Sequence, residues 1–492
     1  MSSGSRRTSK PSRTPARRGR RAENHQGTRA VFEVNIAVVL LVSLVVMVLV
    51  GVHIAVALGA ASALGVYLVT GNYAVVERML ASTAYEALRD YVFAVIPLFM
   101  LMGEFIARSG AVTDVYRGIN RGLRRIPGRL ALATVLGNAL FSLVTGVSIA
   151  SAAAFSRISY PEMKRHGYRR SFALGAIAGS SCLGMLIPPS VLMIVWGILT
   201  EKSIGALFLA GVIPGLMVAG MFCLYILGVA ILRPGVVGAA RGPAASASAA
   251  VAPAAPENPA PAMASPADAP EAVDRFSLWT STLGIVLVVV TVLGGIWFGY
   301  FTPTEGAGAG AFIALVLGII KGMRFREIID CVLSVGRTSA PILILLVMAS
   351  LYARTLAMTG VTNAIQNAFL GAGLTPVVIL AIMIAIWFVL GMFIDSISIM
   401  LLTVIIFEPI AVAVGFDSIA FAVIGVLAIE AGLLTPPFGI LVYTVKAAID
   451  DKDISIWSIF ASATPYWAVL LIAVVLVANF PAIATWLPKL VF

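Results

Sequence analysis

Gly184-Met-Leu-Ile-Pro-Pro189 and Gly432-Leu-Leu-Thr-Pro-Pro437 decide the architecture: one glycine-to-double-proline break stands twice in apolar surroundings, at an offset of 248 residues. At that same offset Gly146–Ser151 (GVSIAS) falls on Ile394–Ile399 (IDSISI), with Ser148 over Ser396. Farther upstream, Ser109-Gly-Ala-Val-Thr resembles Thr359-Gly-Val-Thr at an offset of about 250. A single Pro-Pro match would mean little. Three matches in order at nearly one offset read as an internal duplication.

The duplicated segments lie in a chain built for lipid. Of 492 residues, 60% are apolar and only 12% charged, against about a quarter charged in a soluble domain. Apolar runs of about 17 or more residues recur along the length, each able to span a bilayer core. An all-α polytopic membrane protein is therefore expected. The first run, Ile36–Val52, follows a polar tail and leads straight into a second, so it reads as a membrane helix and not a cleaved signal. Residues 1–30 hold nine Lys and Arg and one acid, most of the net charge of +11. With no aromatic residue interleaved, that tail reads as a disordered arm near anionic lipid and not as a nucleic-acid binder. Pro234–Ala272, with eight Pro and sixteen Ala, reads as a flexible linker. The expected organisation is a tail (1–30), a first membrane repeat (31–233), a linker (234–275) and a second membrane repeat (276–492). Cys182, Cys223 and Cys331 are too scattered for a disulfide framework or a metal site.

Basic loops set orientation. Arg117, Arg121, Arg124, Arg125 and Arg129 precede one apolar segment, and Lys164, Arg165, Arg169 and Arg170 follow the next. Both flanks read as cytoplasmic, so the segment broken at Thr145-Gly146-Val147-Ser148 (about 129–162) enters and leaves on one side, as a re-entrant hairpin. Its counterpart (about 376–407) is broken near Gly391–Ser396. Flanked by Gln366–Thr375, without Lys or Arg, and by the acidic Glu408–Asp417, it enters from outside. Similar halves of opposite orientation are inverted-topology repeats, a recurring plan of secondary transporters. Counting spans back from the first hairpin puts residue 1 outside, whereas the basic tail favours inside. The short internal loops carry more weight.

Non-helical backbone at membrane depth is tolerated only inside protein or along a watery cavity. Four breaks are expected, two per repeat: the hairpin tips and the discontinuous helices at about 172–200 and 418–448. Each frees carbonyls for a hard cation and N–H groups for an anion. The hydroxyls of Thr145, Ser148, Ser151, Ser396, Ser398 and Thr435 add neutral oxygen ligands, which suit sodium. Intramembrane acids are functional candidates: Asp395 beside a tip, Glu430 in a broken helix, and Glu305, which also reads as a helix cap. Glu104 reads as interfacial and His53 as structural. No HExxH, GxSxG, paired Cys/His spacing or P-loop occurs, so neither an enzyme nor an ATP-driven pump is expected.

The chain resembles the large membrane subunit of tripartite ATP-independent periplasmic (TRAP) transporters, the DctM-like family. The resemblance is carried by GVSIASAAAFSRISYPEMKRHGY (146–168), LGMLIPPSVLMIVWGILTEKSIGALFLAGVIPG (183–215), YFTPTEGAGAGA (300–311), GMFIDSISIMLLT (391–403) and EAGLLTPPFGILVY (430–443). It implies an elevator-type carrier in a bacterial inner membrane, driven by sodium ions and needing no other cofactor. It implies two partners, a small four-helix membrane subunit and a periplasmic substrate-binding protein. By matching motif, one sodium site would use Gly146, Ser148, Gly184, Ile187 and Pro189, and a second Gly391, Asp395, Gly432, Thr435 and Pro436. A small carboxylate would lie between the tips, near Thr145, Ser151, Asp395, Ser396 and Ser398. Asp395-Ser396 stands where the family usually has Asp-Gly, so the local turn can differ. The alternatives are a stand-alone ion or carboxylate permease and a non-transporting membrane scaffold.

Overall fold

A computed structural model describes residues 36, 38–48, 50–238, 275–451 and 453–492. The basic tail and nearly all of the Pro/Ala-rich linker lie outside the described residues. Those residues form helices joined by short turns. Eight of the helices are long and apolar enough to cross a membrane.

The chain divides into two compact units. One comprises the described residues up to Tyr85 with Met348–Leu374. Within it, His53 caps the helix Ile54–Thr70 by accepting the Ala55 N–H at 3.3 Å, a structural role. The other unit, Glu86–Val347 with Thr375–Phe492, contains both copies of the duplicated motif.

In the first copy α1 (Arg129–Thr145) turns into α2 (Ser148–Arg165). Then α3 (Arg170–Ser181), a single turn at Leu183–Leu186 and α4 (Val191–Thr200) follow. In the second copy α5 (Pro376–Gly391) turns into α6 (Ser396–Ala413), followed by α7 (Ser418–Gly432) and α8 (Ile440–Ala447). Both α2 and α6 run through an internal proline, Pro161 and Pro409, and so end later than those prolines suggest. Packed neighbours compensate a proline's missing N–H inside membrane protein.

The two copies share one core. Trp196 of α4 meets Trp387 of α5 at 6.2 Å and Phe421 of α7 at 5.8 Å between ring centroids, while Trp387 and Phe421 lie 5.1 Å apart. The Trp387 indole N–H donates to Thr403 at 2.7 Å. Gly425 makes this possible, since a Cβ there would stand 2.8 Å from the Trp196 ring.

A polar tie joins the copies outside the spans. Asp451, with its side chain 5% exposed, accepts from Tyr160 at 2.6 Å and Lys164 at 3.1 Å of α2, and from Arg170 at 3.2 Å. The Tyr160 and Lys164 hydrogen bonds hold its carboxyl below the ordinary value of 3.8. A carboxyl depressed on folding contributes stability that is complete above its unfolded value and is lost as pH falls through the folded one. Asp451→Asn is therefore expected to lower the Tm of the purified protein at pH 7. That deficit should persist to about pH 4 and narrow only below it. A deficit that vanished already at pH 6 would contradict this.

Candidate functional site

Each tip is seated on the break of its own copy. At the first, α1 ends on Gly146, whose φ of 64° is left-handed and suits glycine. A Cβ there would collide with the Pro189 carbonyl oxygen. The Gly146 carbonyl accepts the Val191 N–H at 3.1 Å, joining the tip to the start of α4. One turn earlier in the break, a Cβ on Gly184 would lie 2.9 Å from the backbone of Val147 and Ser148. Ser190 caps α4 by accepting the Met193 N–H at 3.3 Å, and its hydroxyl donates to the Met185 carbonyl. The Pro188–Pro189 peptide is cis, as is Pro436–Pro437.

The second copy repeats this seating with different atoms. Gly391 and Gly432 touch backbone to backbone: a Cβ on Gly391 would stand 2.8 Å from the Gly432 Cα. The Met392 carbonyl accepts the Phe438 N–H at 3.2 Å. Asp395 caps α6, accepting the Ser398 N–H at 3.0 Å. The Thr435 hydroxyl donates to the Ala431 carbonyl at 2.9 Å.

At the first tip a second buried hydrogen bond crosses from copy to copy. The Ser148 hydroxyl donates to Glu430 Oε2 at 2.7 Å, and Glu430 is 1% exposed. Among the described residues its other oxygen, Oε1, has no hydrogen-bond partner. A buried polar atom without a partner is uncommon. At the matching place upstream, by the offset of 248, stands Cys182, which donates to Gly179 instead.

A cavity of about 770 Å³ opens beside the tips, with Thr145, Asp395 and Ser396 in its wall. Ser151 and Ser398 are not in that wall. Ser151 is fully buried and donates to Asn138, which in turn donates to Ser180 at 2.6 Å. Ser398 is 2% exposed and its N–H is taken by Asp395. Glu305 stands apart from the tips, in a capping box with Thr302, whose N–H it accepts at 2.8 Å.

Of the residues read as cation ligands, the two groups each gather at one tip and one break. Gly146, Ser148, Gly184 and Pro189 meet at the first, with Ile187 in the same break; Gly391 and Gly432 meet at the second, with Asp395 in the tip and Thr435 and Pro436 in the break. The acceptor atoms these residues offer are oxygens, mostly backbone carbonyls, the kind of ligand a hard monovalent cation takes. Among the described residues no cluster of three or more His, Cys, Asp or Glu could hold a transition metal.

Two charged residues of the cavity wall, Arg108 and Arg157, escaped the sequence reading, and Glu104, read there as interfacial, also stands in it. Glu104 and Arg108 pair with each other at 3.0 Å. Arg157 was legible only as a charge one helical repeat beyond Ala150, Ala153 and Ala154, the spacing of a single helix face.

A model of the family described as "Tripartite ATP-independent periplasmic transporter, DctM component" matches residues 41–483. The chain is 31% identical to the C4-dicarboxylate TRAP transporter large permease protein of Pseudomonas aeruginosa, over 84% of this chain and 90% of that one. It is 30% identical to the ectoine TRAP transporter large permease protein of Halomonas elongata, over 88% and 94%. It is 27% identical to the sialic acid TRAP transporter large permease protein of Vibrio cholerae, over 82% and 87%. Among solved structures, the Alcanivorax borkumensis YdaH transporter matches with a TM-score of 0.60 at 16% identity, covering 85% of this chain and 90% of that one. That likeness speaks for the fold alone.

Proposed function

Because this chain belongs to the DctM family of tripartite ATP-independent periplasmic transporters, as a multi-pass permease subunit and not an enzyme, we propose that it imports a small organic acid on a sodium gradient. The observation that carries this reading is the seating of each tip on its own break beside a cavity walled by Thr145, Asp395 and Ser396. Sodium would sit among the oxygens of Gly146, Ser148, Gly184, Ile187 and Pro189, and among those of Gly391, Asp395, Gly432, Thr435 and Pro436. The substrate would occupy the cavity beside the tips. Relatives named for C4-dicarboxylate, ectoine and sialic acid support a carboxylate-bearing substrate.

Each hairpin turns back at a tip seated on the break of its own copy, and the flanks of the two hairpins differ in charge, which supports re-entrant hairpins in two repeats of inverted topology. The tips and breaks would move together as the elevator. The chain would lie in a bacterial inner membrane, with a small four-helix membrane subunit beside it and a periplasmic binding protein delivering substrate.

The test is reconstitution of the chain with both partners in proteoliposomes. Labelled succinate, sialic acid and ectoine would be offered from outside. Uptake of one of them under an inward sodium gradient is expected, with loss of at least tenfold when potassium and a proton gradient replace it. The chain alone should be inert. Undiminished uptake in potassium would exclude sodium coupling, and uptake by the chain alone would favour a stand-alone permease.

A further inference from the structure

The cavity wall carries four charged side chains, Glu104, Arg108, Arg157 and Asp395. Three have partners. Glu104 and Arg108 neutralise each other one helical turn apart, and the Asp395 carboxylate takes the Ser398 N–H at the start of α6. Arg157 is exposed, and among the described residues its guanidinium has neither an ion pair nor a hydrogen-bond partner. It closes the face of α2 formed by Ala150, Ala153 and Ala154, all in the same wall. Three methyl-sized side chains keep that wall flat and leave room for a ligand. The next side chain on the same face is the cation.

Geometry aims it inward. Side chains on a helix lean toward its N-terminus, and for α2 that end is the first tip. Arg157 lies nine residues beyond Ser148, about 13 Å along the axis, so a side chain leaning that way runs back along the alanine face. A guanidinium presents a planar fork of donors that matches a carboxylate through two parallel hydrogen bonds. In a cleft whose other charges are already paired or bound, one cation also focuses the field on an anion.

We propose that Arg157 binds the carboxylate of the transported substrate, so that the ligand lies along the alanine face with its far end at the tips. This rests on the carrier reading above. It points to an elongated substrate, charged at the Arg157 end and hydrogen-bonded at the other by groups such as Thr145 and Ser396.

The experiment uses the reconstituted three-component system and whichever of succinate, sialic acid and ectoine the wild type takes up. The purified membrane subunits, without the binding protein, are also tested for equilibrium binding of that probe in sodium. Loss of a charge-assisted hydrogen-bond pair is worth roughly tenfold or more. Arg157→Gln should weaken binding by that factor, and Arg157→Lys by less. Arg157→Cys should regain binding after modification with a cationic aminoethyl thiosulfonate reagent but not with an anionic sulfonatoethyl one. Unchanged binding and uptake in Arg157→Gln, or equal rescue by both reagents, would overturn the assignment while leaving the carrier reading intact. A wild-type system that takes up none of the three probes would overturn the carrier reading and this assignment with it.

Discussion

Gly184→Leu is expected to reduce uptake to background while the protein still inserts and purifies normally. A Cβ at Gly184 would come within 2.9 Å of the backbone of Val147 and Ser148, closer than real Cβ atoms approach. Backbone cannot rotate aside as a side-chain end can, so either the tip lifts or the short turn at Leu183–Leu186 shifts. Both separate oxygens that the proposed cation would need together. Overpacking of this kind typically costs 1–3 kcal/mol or more, which a large membrane unit can survive as a fold but not as a precise ligand cage. Gly220→Leu is the matched control, because a Cβ there meets nothing within 4 Å. Uptake assays on both variants, scaled to the amount of protein in the membrane, decide it. Near-normal transport by Gly184→Leu would remove this tip contact from the mechanism.

The second large effect is expected from Ser148→Ala. Its hydroxyl supplies the hydrogen bond seen at Glu430, whose side chain is buried and whose other oxygen has no partner among the described residues. Removing the donor leaves a buried carboxyl group without any, a loss of roughly 1–3 kcal/mol. The Tm of the purified protein should fall accordingly. Ser396, the position matching Ser148 in the second copy, faces no such acid, since Cys182 stands where a second Glu430 would be. Ser396→Ala should therefore leave the Tm nearly unchanged. A double-mutant cycle of Ser148→Ala with Glu430→Gln isolates the pair. Equal melting shifts for the two serine variants, or additivity in the cycle, would mean that the bond contributes little.

Much of the coarse architecture was legible because it follows from local chemistry. Sixty per cent apolar residues can be satisfied only by many helices against lipid. The Thr302–Glu305 spacing announces a cap and is found as one, and His53, read only as structural, caps its helix. What stayed hidden is tertiary. The Ser148–Glu430 bond spans 282 residues, and the repeat offset points Ser148 at Ser396 and not at an acid. Ser151 has the residue type of a ligand, but its hydroxyl is spent on Asn138, a partner that no spacing rule selects. Arg157 fell within a quoted motif, yet a helix carries only its own period and says nothing of the cavity it faces.

The aromatic cluster of Trp196, Trp387 and Phe421 has a consequence for how the protein is made. Trp196 leaves the ribosome nearly two hundred residues before Trp387, and its mates do not exist until the second half is synthesised. For that interval a large indole surface, fully buried in the finished protein, lacks the partners that bury it. A chain terminated in the linker would keep that surface uncovered, marking it for the quality-control proteases of the membrane. Two halves made as separate polypeptides in one cell would each bring what the other lacks. The rings that pack the two copies together thus find their full set of partners only when both halves are present.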